Sequence, residues 1–509
     1  MSKKYKYNTL YQILENKAQE HPKRVAIFCQ KSKIEYNKLK KYVDSIATYL
    51  TTFGIKPGDR VGLFMHNSWE FIAIVFAVSK VGAVFVPINT YIKSCELSFI
   101  LKDANIKLIF ASDELQNIIK GSIVTASFGQ VIWVGKGEEG ARFDDILSLK
   151  NEVREVKQSI EDSAAIFYTS GTTGRPKGAI ISNKAIISNA TVAKEHLKLT
   201  KRDRTLLVLP MFHTYPFNTS VVLPIFSGSS IVLLKQVRPL NNLFKEIILK
   251  KVTVLIGVPE FYNAIASSKL SWSFKRLNSI RLIISGSSPL RANTFVKLKK
   301  KFPRAKIIEG YGLTEATAFV SANPLDKQKV GSVGVPSRIC KLKIMNNSKE
   351  VKANEIGEII VKGDNVIKSY LNDDHSNIKN GWLYTGDMGY IDTENFLYLI
   401  GRKSDVIISK GFNIYPKEIE DVLNKYPGVI KSAVIGETNK IFGEIPVAFL
   451  EVEDMQISID KLKAYANGFL ASYKVPKEFY IIDKIPVTVT GKTVRGQLAD
   501  MLKKIKGKD

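Results

Sequence analysis

Up to about residue 340 the chain alternates between two textures. Short apolar runs suited to strands (RVGLFM, KLIFAS, QVIWVG, AAIFYTS, SIVLLK, VTVLIGVP, RLIISG and AKIIEGYG) are separated by amphipathic stretches suited to helices. Such alternation predicts layered α/β structure with mostly parallel sheets. Several runs end in Gly, Ser or Pro, and ligands of open α/β sheets collect just past the carboxyl ends of strands, so a site is expected in these loops. The most apolar window, FIAIVFAVSKVGAVFVPI at 71–88, is interrupted by Lys80, Gly82 and Pro87. A membrane span needs roughly 20 apolar residues, so this window predicts instead a buried helix of about 10 residues running into a strand.

Between about 330 and 400 the texture changes to short strands with turn signals (GSVGVP, KLKIM, GEIIVKG, FLYLIG). They suit a small β-barrel or antiparallel sheet packed on the α/β body. After GRKSDVIISKG come a helix-like PKEIEDVLNKYP, strand-like VIKSAVIG and PVAFLEVE, helix-like IDKLKAYANGFL and strand-like KEFYIID. These form an α+β unit of about 100 residues, a usual domain size. The predicted fold is thus a large N-terminal domain of layered α/β subdomains plus a small β-barrel (1–401), a hinge (402–404) and a smaller mobile α+β domain (405–509).

Composition agrees with at least two folding units, since 509 residues at 45% hydrophobic exceed what one core holds. The net charge of +27, from 75 Lys+Arg against 48 Asp+Glu, suits anionic partners and admits a peripheral membrane contact. Basic runs such as KLKKK (297–301) and KKIKGKD (503–509) read as solvated helix faces and tails. No zinc spacing or aromatic RNA-binding signature accompanies them, so nucleic acid is not the expected partner. Three scattered cysteines, Cys29, Cys95 and Cys340, make no disulfide framework and point to a reducing compartment. MSKKYKYNTL has no apolar h-region, which makes a cytoplasmic protein the expectation.

The stretch YTSGTTGRPKGA (168–179) packs four Ser/Thr hydroxyls, three glycines and Lys177 between two apolar runs. Glycines let backbone N–H groups approach an anion, hydroxyls add donors and lysine adds a point charge, so phosphate is the first candidate. The spacing is neither that of a Walker loop nor of a Rossmann turn; alone it reads as a polar turn between buried strands. Four more segments accompany it: IIEGYGLTEAT (307–317), GWLYTGDMGY (381–390), GRKSDVIISKGFNIYPKEIE (401–420) and PVTVTGKTVRGQL (486–498). Each has a plain structural reading by itself. Thr314 suits a helix N-cap with Glu315 in its first turn, Asp387 suits an Asx-type turn, Arg402 suits a surface ion pair and Lys492 is one of many lysines.

In this order the five segments resemble the acyl-adenylate-forming superfamily of acyl-CoA synthetases, aryl-CoA ligases, firefly luciferase and peptide-synthetase adenylation domains. The resemblance covers nearly the whole chain, from VAIFCQKSKIEYNKLKKYVDSIATYL to GKTVRGQL. It implies that a carboxylate attacks the α-phosphorus of Mg-ATP to give an acyl-adenylate and pyrophosphate, after which a thiol, usually that of coenzyme A, displaces AMP. Attack of one anion on another needs positive charge gathered at the phosphates.

By that resemblance, Thr169, Ser170, Gly171, Thr172, Thr173, Gly174 and Lys177 serve the departing pyrophosphate. Glu315 holds Mg²⁺, Thr314 donates to the α-phosphate, and Lys492 bridges carboxylate and α-phosphate. Asp387 accepts the ribose hydroxyls with Arg402 nearby, and Gly286, Ser287, Ser288, Glu309, Gly310 and Tyr311 frame the adenine. His213, in PMFHTYPF, lines and gates the acyl pocket. Ser404 stands at the hinge, where Asp or Lys is usual, and Lys410, Gly411 and Phe412 face the pantetheine of coenzyme A, with Lys410-Gly411 replacing a common Gly-Gly pair.

GFNIYP most resembles the fatty acyl-CoA ligases, so a medium- or long-chain fatty acid is the expected substrate. An aryl-CoA ligase and an acyl-acyl carrier protein synthetase are the alternatives, and a basic nucleic-acid-binding protein is the non-enzyme one. Residues 210–225 hold no acid to meet an α-amino group, and Glu260 is the one nearby candidate in VPEFY, which disfavours an amino-acid substrate.

Overall fold

The computed structural model describes residues 5–507 apart from 31, 124–129, 136–140, 150–152, 171–175, 238, 271, 373–376, 410–411, 440, 455–456 and 489–490. The chain divides into two compact units, Met1–Lys341 with Val361–Leu383, and Leu342–Ile360 with Tyr384–Asp509.

The first unit is layered α/β, as predicted. A nine-stranded sheet runs in the order Val335–Pro336, Ser321–Ala322, Lys306–Tyr311, Leu282–Ser285, Val254–Gly257, Arg204–Leu207, Ser230–Leu233, Val25–Cys29, Ser32–Glu35. Its central pairings, from Lys306–Tyr311 to Val25–Cys29, are all parallel. A seven-stranded sheet runs Ala141–Arg142, Gln130–Val134, Ile106–Ser112, Arg60–Phe64, Val84–Pro87, Ser163–Ser170, Pro176–Ser182. It is parallel until its last two strands, which pair antiparallel as a hairpin.

The apolar window resolves as expected into the helix Trp69–Lys80 and the strand Val84–Pro87. Ser68 caps the helix by accepting the Phe71 N–H at 3.2 Å. Lys80, an interruption in the sequence pattern, is buried with its ammonium 2.7 Å from Asp44 and over the Tyr11 ring. A buried cation requires such a partner, because leaving either charge alone there is costly.

Residues 340–402 form a six-stranded sheet whose hydrogen-bonded path is Lys349–Glu350, Cys340–Asn346, Gly357–Gly363, Trp382–Ile391, Ile378–Lys379, with Leu397–Arg402 on Trp382–Ile391. The division between the units runs along these strands. The rest of the second unit is the predicted α+β module. The long strands Val429–Asn439 and Gly443–Val452 pair antiparallel, and Glu478–Ile481 adds parallel to the second. The helices Pro416–Leu423 and Ile459–Asn467 contribute Ile419, Leu423, Leu462 and Ala466 to one core, and Arg495–Ile505 contributes Leu498 and Leu502 to another. Among the described residues no helix is long and apolar enough to cross a membrane.

Candidate functional site

In the first unit, the strand Lys306–Tyr311 delivers its carboxyl end to a tight reversal. A Cβ on Gly312 would lie 2.2 Å from the Ala318 carbonyl oxygen, so glycine alone lets the backbone fold back so closely. The 3₁₀ turn Thr314–Ala316 follows, and Thr317 (φ 51°) and Ala318 (φ 72°) leave it in the left-handed region that non-glycine residues seldom occupy. Distant side chains hold this strain in place. The Asn189 amide donates to the Thr317 carbonyl, the Thr317 hydroxyl donates to the Asn365 carbonyl at 2.8 Å, and the Asn365 amide donates to the Phe319 carbonyl at 2.6 Å.

The turn presents both residues read from the sequence. Thr314 Oγ1 is 3.2 Å from Thr214 Oγ1, and Glu315 Oε1 accepts the Tyr370 hydroxyl at 2.9 Å. Lys177 stands 5.8 Å over the Tyr370 ring, so one tyrosine joins the metal-ligand candidate to the lysine of the phosphate loop. That loop leaves the hairpin Ser163–Ser170 and Pro176–Ser182, with Thr169 opposite Lys177 and Ser170 opposite Pro176. Gly171, Thr172, Thr173 and Gly174 lie outside the described residues. Among the described residues no cluster of three or more His, Cys, Asp or Glu could hold a metal. One carboxylate oxygen plus phosphates and water is a coordination that Mg²⁺ accepts, so Glu315 suits that ion.

The other first-unit candidates gather at the same carboxyl edge of the nine-stranded sheet. Gly286 follows the strand Leu282–Ser285, and Ser287 takes φ 74°. Glu309 is buried and its Oε2 accepts the Leu290 N–H at 3.1 Å, so this side chain braces the loop after Ser288, a use the sequence did not reveal. Gly310 and the buried Tyr311 end the neighbouring strand. His213 precedes the short helix Thr214–Pro216, and its ring centroid is 4.5 Å from that of Phe212.

The next turn, Phe217–Val222, is π-wound, a feature frequent at functional sites. Tyr215, in the preceding helix Thr214–Pro216, reaches the carboxyl ends of two paired strands. Its hydroxyl is 3.3 Å from the Gly257 carbonyl and 3.4 Å from that of Ile284, and a Cβ on Gly286 would lie 2.9 Å from its Cζ. Burial pushes its phenol above the ordinary tyrosine pKa.

In the second unit, Asp387 sits within the strand Trp382–Ile391, opposite Arg402 on Leu397–Arg402. The segment is extended, in place of the Asx-type turn that Asp387 suits by sequence, and Gly386, at φ 69°, only kinks it. Arg402 Nε is 2.8 Å from Asp387 Oδ1 and its Nη1 donates to the Thr385 carbonyl at 3.1 Å, which fixes the carboxylate's orientation. Ser404 lies in the exposed 3₁₀ turn Lys403–Asp405, its hydroxyl 3.1 Å from Asp405 Oδ1. Lys492 is exposed on a turn closed by a Thr488 N–H bond to its carbonyl at 2.8 Å. Phe412 is 55% exposed and stacks on Tyr473 at 4.9 Å. Lys410 and Gly411 lie outside the described residues.

The supporting residues Tyr370, Asn365, Asn189, Thr214 and Tyr215 escaped the sequence reading. Their roles depend on contacts across 55, 46, 128, 100 and 69 positions, and no local pattern marks them.

The AMP-binding enzyme family profile matches residues 14–371, and that of the AMP-binding enzyme C-terminal domain matches residues 418–492. Relatives include a feruloyl-CoA synthase of Amycolatopsis sp, 30% identical over 491 residues that span 95% of this chain and 96% of the relative. Among solved structures, ATP-bound MatB from Rhodopseudomonas palustris superposes with a TM-score of 0.90 at 30% identity, covering 98% of this chain and 99% of that one. The O-succinylbenzoate coenzyme A synthetase MenE of Bacillus subtilis, in complex with ATP and magnesium ion, gives 0.84 at 28% identity over 97% and 99%. The sequence order of the motifs, the layered fold and these likenesses agree: the chain belongs to the AMP-binding, acyl-adenylate-forming enzymes and is an AMP-forming acid–thiol ligase.

Proposed function

We propose that this ligase joins an aryl carboxylic acid to coenzyme A, forming an aryl-adenylate with release of pyrophosphate and then a thioester with release of AMP. The observation that carries the choice of acid is Tyr215. Its ring lies at the carboxyl ends of the paired strands Val254–Gly257 and Leu282–Ser285, against Gly286, with its hydroxyl at the Gly257 and Ile284 carbonyls. An acyl site bounded by this ring suits a short planar acid better than a long flexible chain. The relatives named for an acyl group carry feruloyl and succinylbenzoyl groups, both aryl, which lends the fatty-acid expectation no support.

In this reading the acid's carboxylate oxygen bonds to the α-phosphorus while the bond to pyrophosphate breaks. Thr314 donates to the α-phosphate, the Thr169–Lys177 loop serves the departing pyrophosphate, and Lys492 neutralises charge on the attacking and accepting oxygens. Mg²⁺, when bound with ATP, neutralises phosphate charge, and Glu315 is the residue that would hold it. Asp387, oriented by Arg402, accepts the ribose hydroxyls. In the second step the sulfur of coenzyme A bonds to the acyl carbon and AMP leaves. We assign the change between steps to rotation about Ser404, after which Phe412 faces the pantetheine.

The test is acid-dependent pyrophosphate release from Mg-ATP over aryl, fatty and amino acids, with and without coenzyme A. Aryl acids are expected to drive release, and coenzyme A to convert it to thioester. Preference for fatty acids overturns the choice of acid, and adenylate that coenzyme A cannot consume overturns the acceptor in favour of a carrier protein.

A further inference from the structure

The nine-stranded sheet has a second edge, opposite the loops just described. Along it Thr253 donates its N–H to the Arg204 carbonyl, Arg281 to Thr253 and Lys306 to Arg281, each at 2.9 Å. The helices Leu240–Leu249, Trp272–Leu277 and Ala292–Lys301 each precede the amino end of a parallel strand, so their C-termini lie at this same edge. Phe244, Phe274 and Phe302 form a row beneath them, with centroids 5.0 and 6.1 Å apart. The segment is cationic: from residue 261 to 308 the sequence holds eleven Lys or Arg and no Asp or Glu, all but Arg291, which caps the far end of its helix, offered to this edge, and Leu240–Leu249 adds Lys245 and Glu246.

Several of these cations are near one another. Lys301 has its pKa held below the ordinary lysine value by burial and by the neighbouring charges of Lys275 and Lys297. Lys299 and Arg304 donate at 2.9 Å to the carbonyls of Ala305 and Arg276, and Lys301 donates to that of Ser268. Among the described residues, none of Lys275, Lys297, Lys299, Lys300, Lys301 or Arg304 has a carboxylate partner. Asp203, at the same edge, is taken by Arg281 at 2.7 and 2.8 Å. Lys275 and Lys301 each lie in the last turn of a helix, where the C-terminus favours cations, but Lys297 lies before that turn, and both Lys275 and Lys297 repel Lys301 without a carboxylate partner among the described residues.

Large aliphatic side chains stand among these charges: Leu249 is 59% exposed and Leu277 60%, both at the last residue of their helices, and Val296 is 50% exposed. We propose that this edge docks on the surface of an anionic lipid bilayer. Basic side chains would meet lipid phosphates while the leucines enter the headgroup–acyl boundary. Nucleic acid would satisfy the charge but gives the aliphatic side chains nothing, because its bases stack on aromatic rings. The loops at the carboxyl edge stay clear of this contact.

The test is sedimentation of the intact protein with phosphatidylcholine vesicles, with and without phosphatidylglycerol. Binding is expected only with phosphatidylglycerol, and it should fade as salt is raised. At about 5-fold per basic side chain near the surface, K275E/K297E/R304E should weaken it by about 100-fold or more. L249S/L277S should weaken it several-fold with the charge unchanged. Both variants should release pyrophosphate normally without vesicles, and the triple Gln variant replaces the triple Glu variant if the latter fails that check. Equal binding to neutral vesicles, retention by the charge-changed variant, or indifference to the leucine changes each overturns the proposal. Indifference to the leucines together with tight binding of a short DNA duplex assigns the edge to nucleic acid.

Discussion

Arg495 opens the C-terminal helix and clamps three elements of the second unit. Its Nη1 is 3.1 Å from Asp405 Oδ2, beside the proposed hinge Ser404; its Nη2 is 2.7 Å from Glu420 Oε1; its Nε donates to the Val434 carbonyl at 3.2 Å. Burial pushes the Glu420 carboxyl above its ordinary pKa, and Arg495 and the Val434 N–H pull it back. Arg495→Met leaves that carboxylate enclosed without its cation.

Breaking a buried pair costs about 3–5 kcal/mol, and the residual side-chain exposure of 28% for Arg495 and 16% for Glu420 places the expectation near 3 kcal/mol. For a unit of this size that lowers the melting temperature by about 10 °C. Because Glu420 binds its proton more tightly when folded, its contribution to stability is present below the unfolded value of 4.5 and is lost as pH rises through the folded one. Removing Arg495 raises the folded value further, so the deficit against the parent protein should shrink as pH falls towards 4.5. Adding Glu420→Gln should restore most of the loss at neutral pH, since a carboxamide leaves no charge unpaired. Calorimetry across pH checks this. A shift under about 2 °C, a deficit independent of pH, or a double variant no better than the single would refute the reasoning.

Lys492→Ala should abolish adenylate formation yet spare thioester formation from a supplied acyl-adenylate; rapid-quench assays of the two half-reactions check it, and equal losses reject the division of labour. Ser404→Pro should leave first-turnover pyrophosphate release intact and slow thioester formation, as measured in the same assay, with unchanged thioester formation rejecting the hinge. Tyr370→Phe removes one hydrogen bond, 2.9 Å long, from Glu315; a net loss of about 1 kcal/mol should slow adenylation about 5-fold and raise the Mg²⁺ concentration needed. A magnesium titration checks it, and an unchanged midpoint removes Tyr370 from that role.

The parts of the fold legible in the sequence were those written locally. The alternation of apolar runs announced the parallel layers, and the broken window at 71–88 announced its helix and strand because Gly82 and Pro87 interrupt the apolar run there. The chemistry was legible only through the order of five segments that resemble the acyl-adenylate-forming superfamily, since each alone, Thr314–Glu315 included, reads as ordinary structure. Nothing local distinguishes Tyr370 from the other tyrosines, since its meaning comes from Glu315, 55 positions away, and from Lys177 under its ring. The brace that Glu309 gives the Leu290 N–H was likewise not legible, because it depends on a contact across 19 positions. The acid selectivity proposed for Tyr215 belongs to this second class, since its hydroxyl end meets the Gly257 carbonyl and Gly286 only because two paired strands end there together. The local motifs therefore point to a candidate adenylating centre, while the choice of acid is to be sought in what packs against the carboxyl ends of those strands, which only the fold brings together.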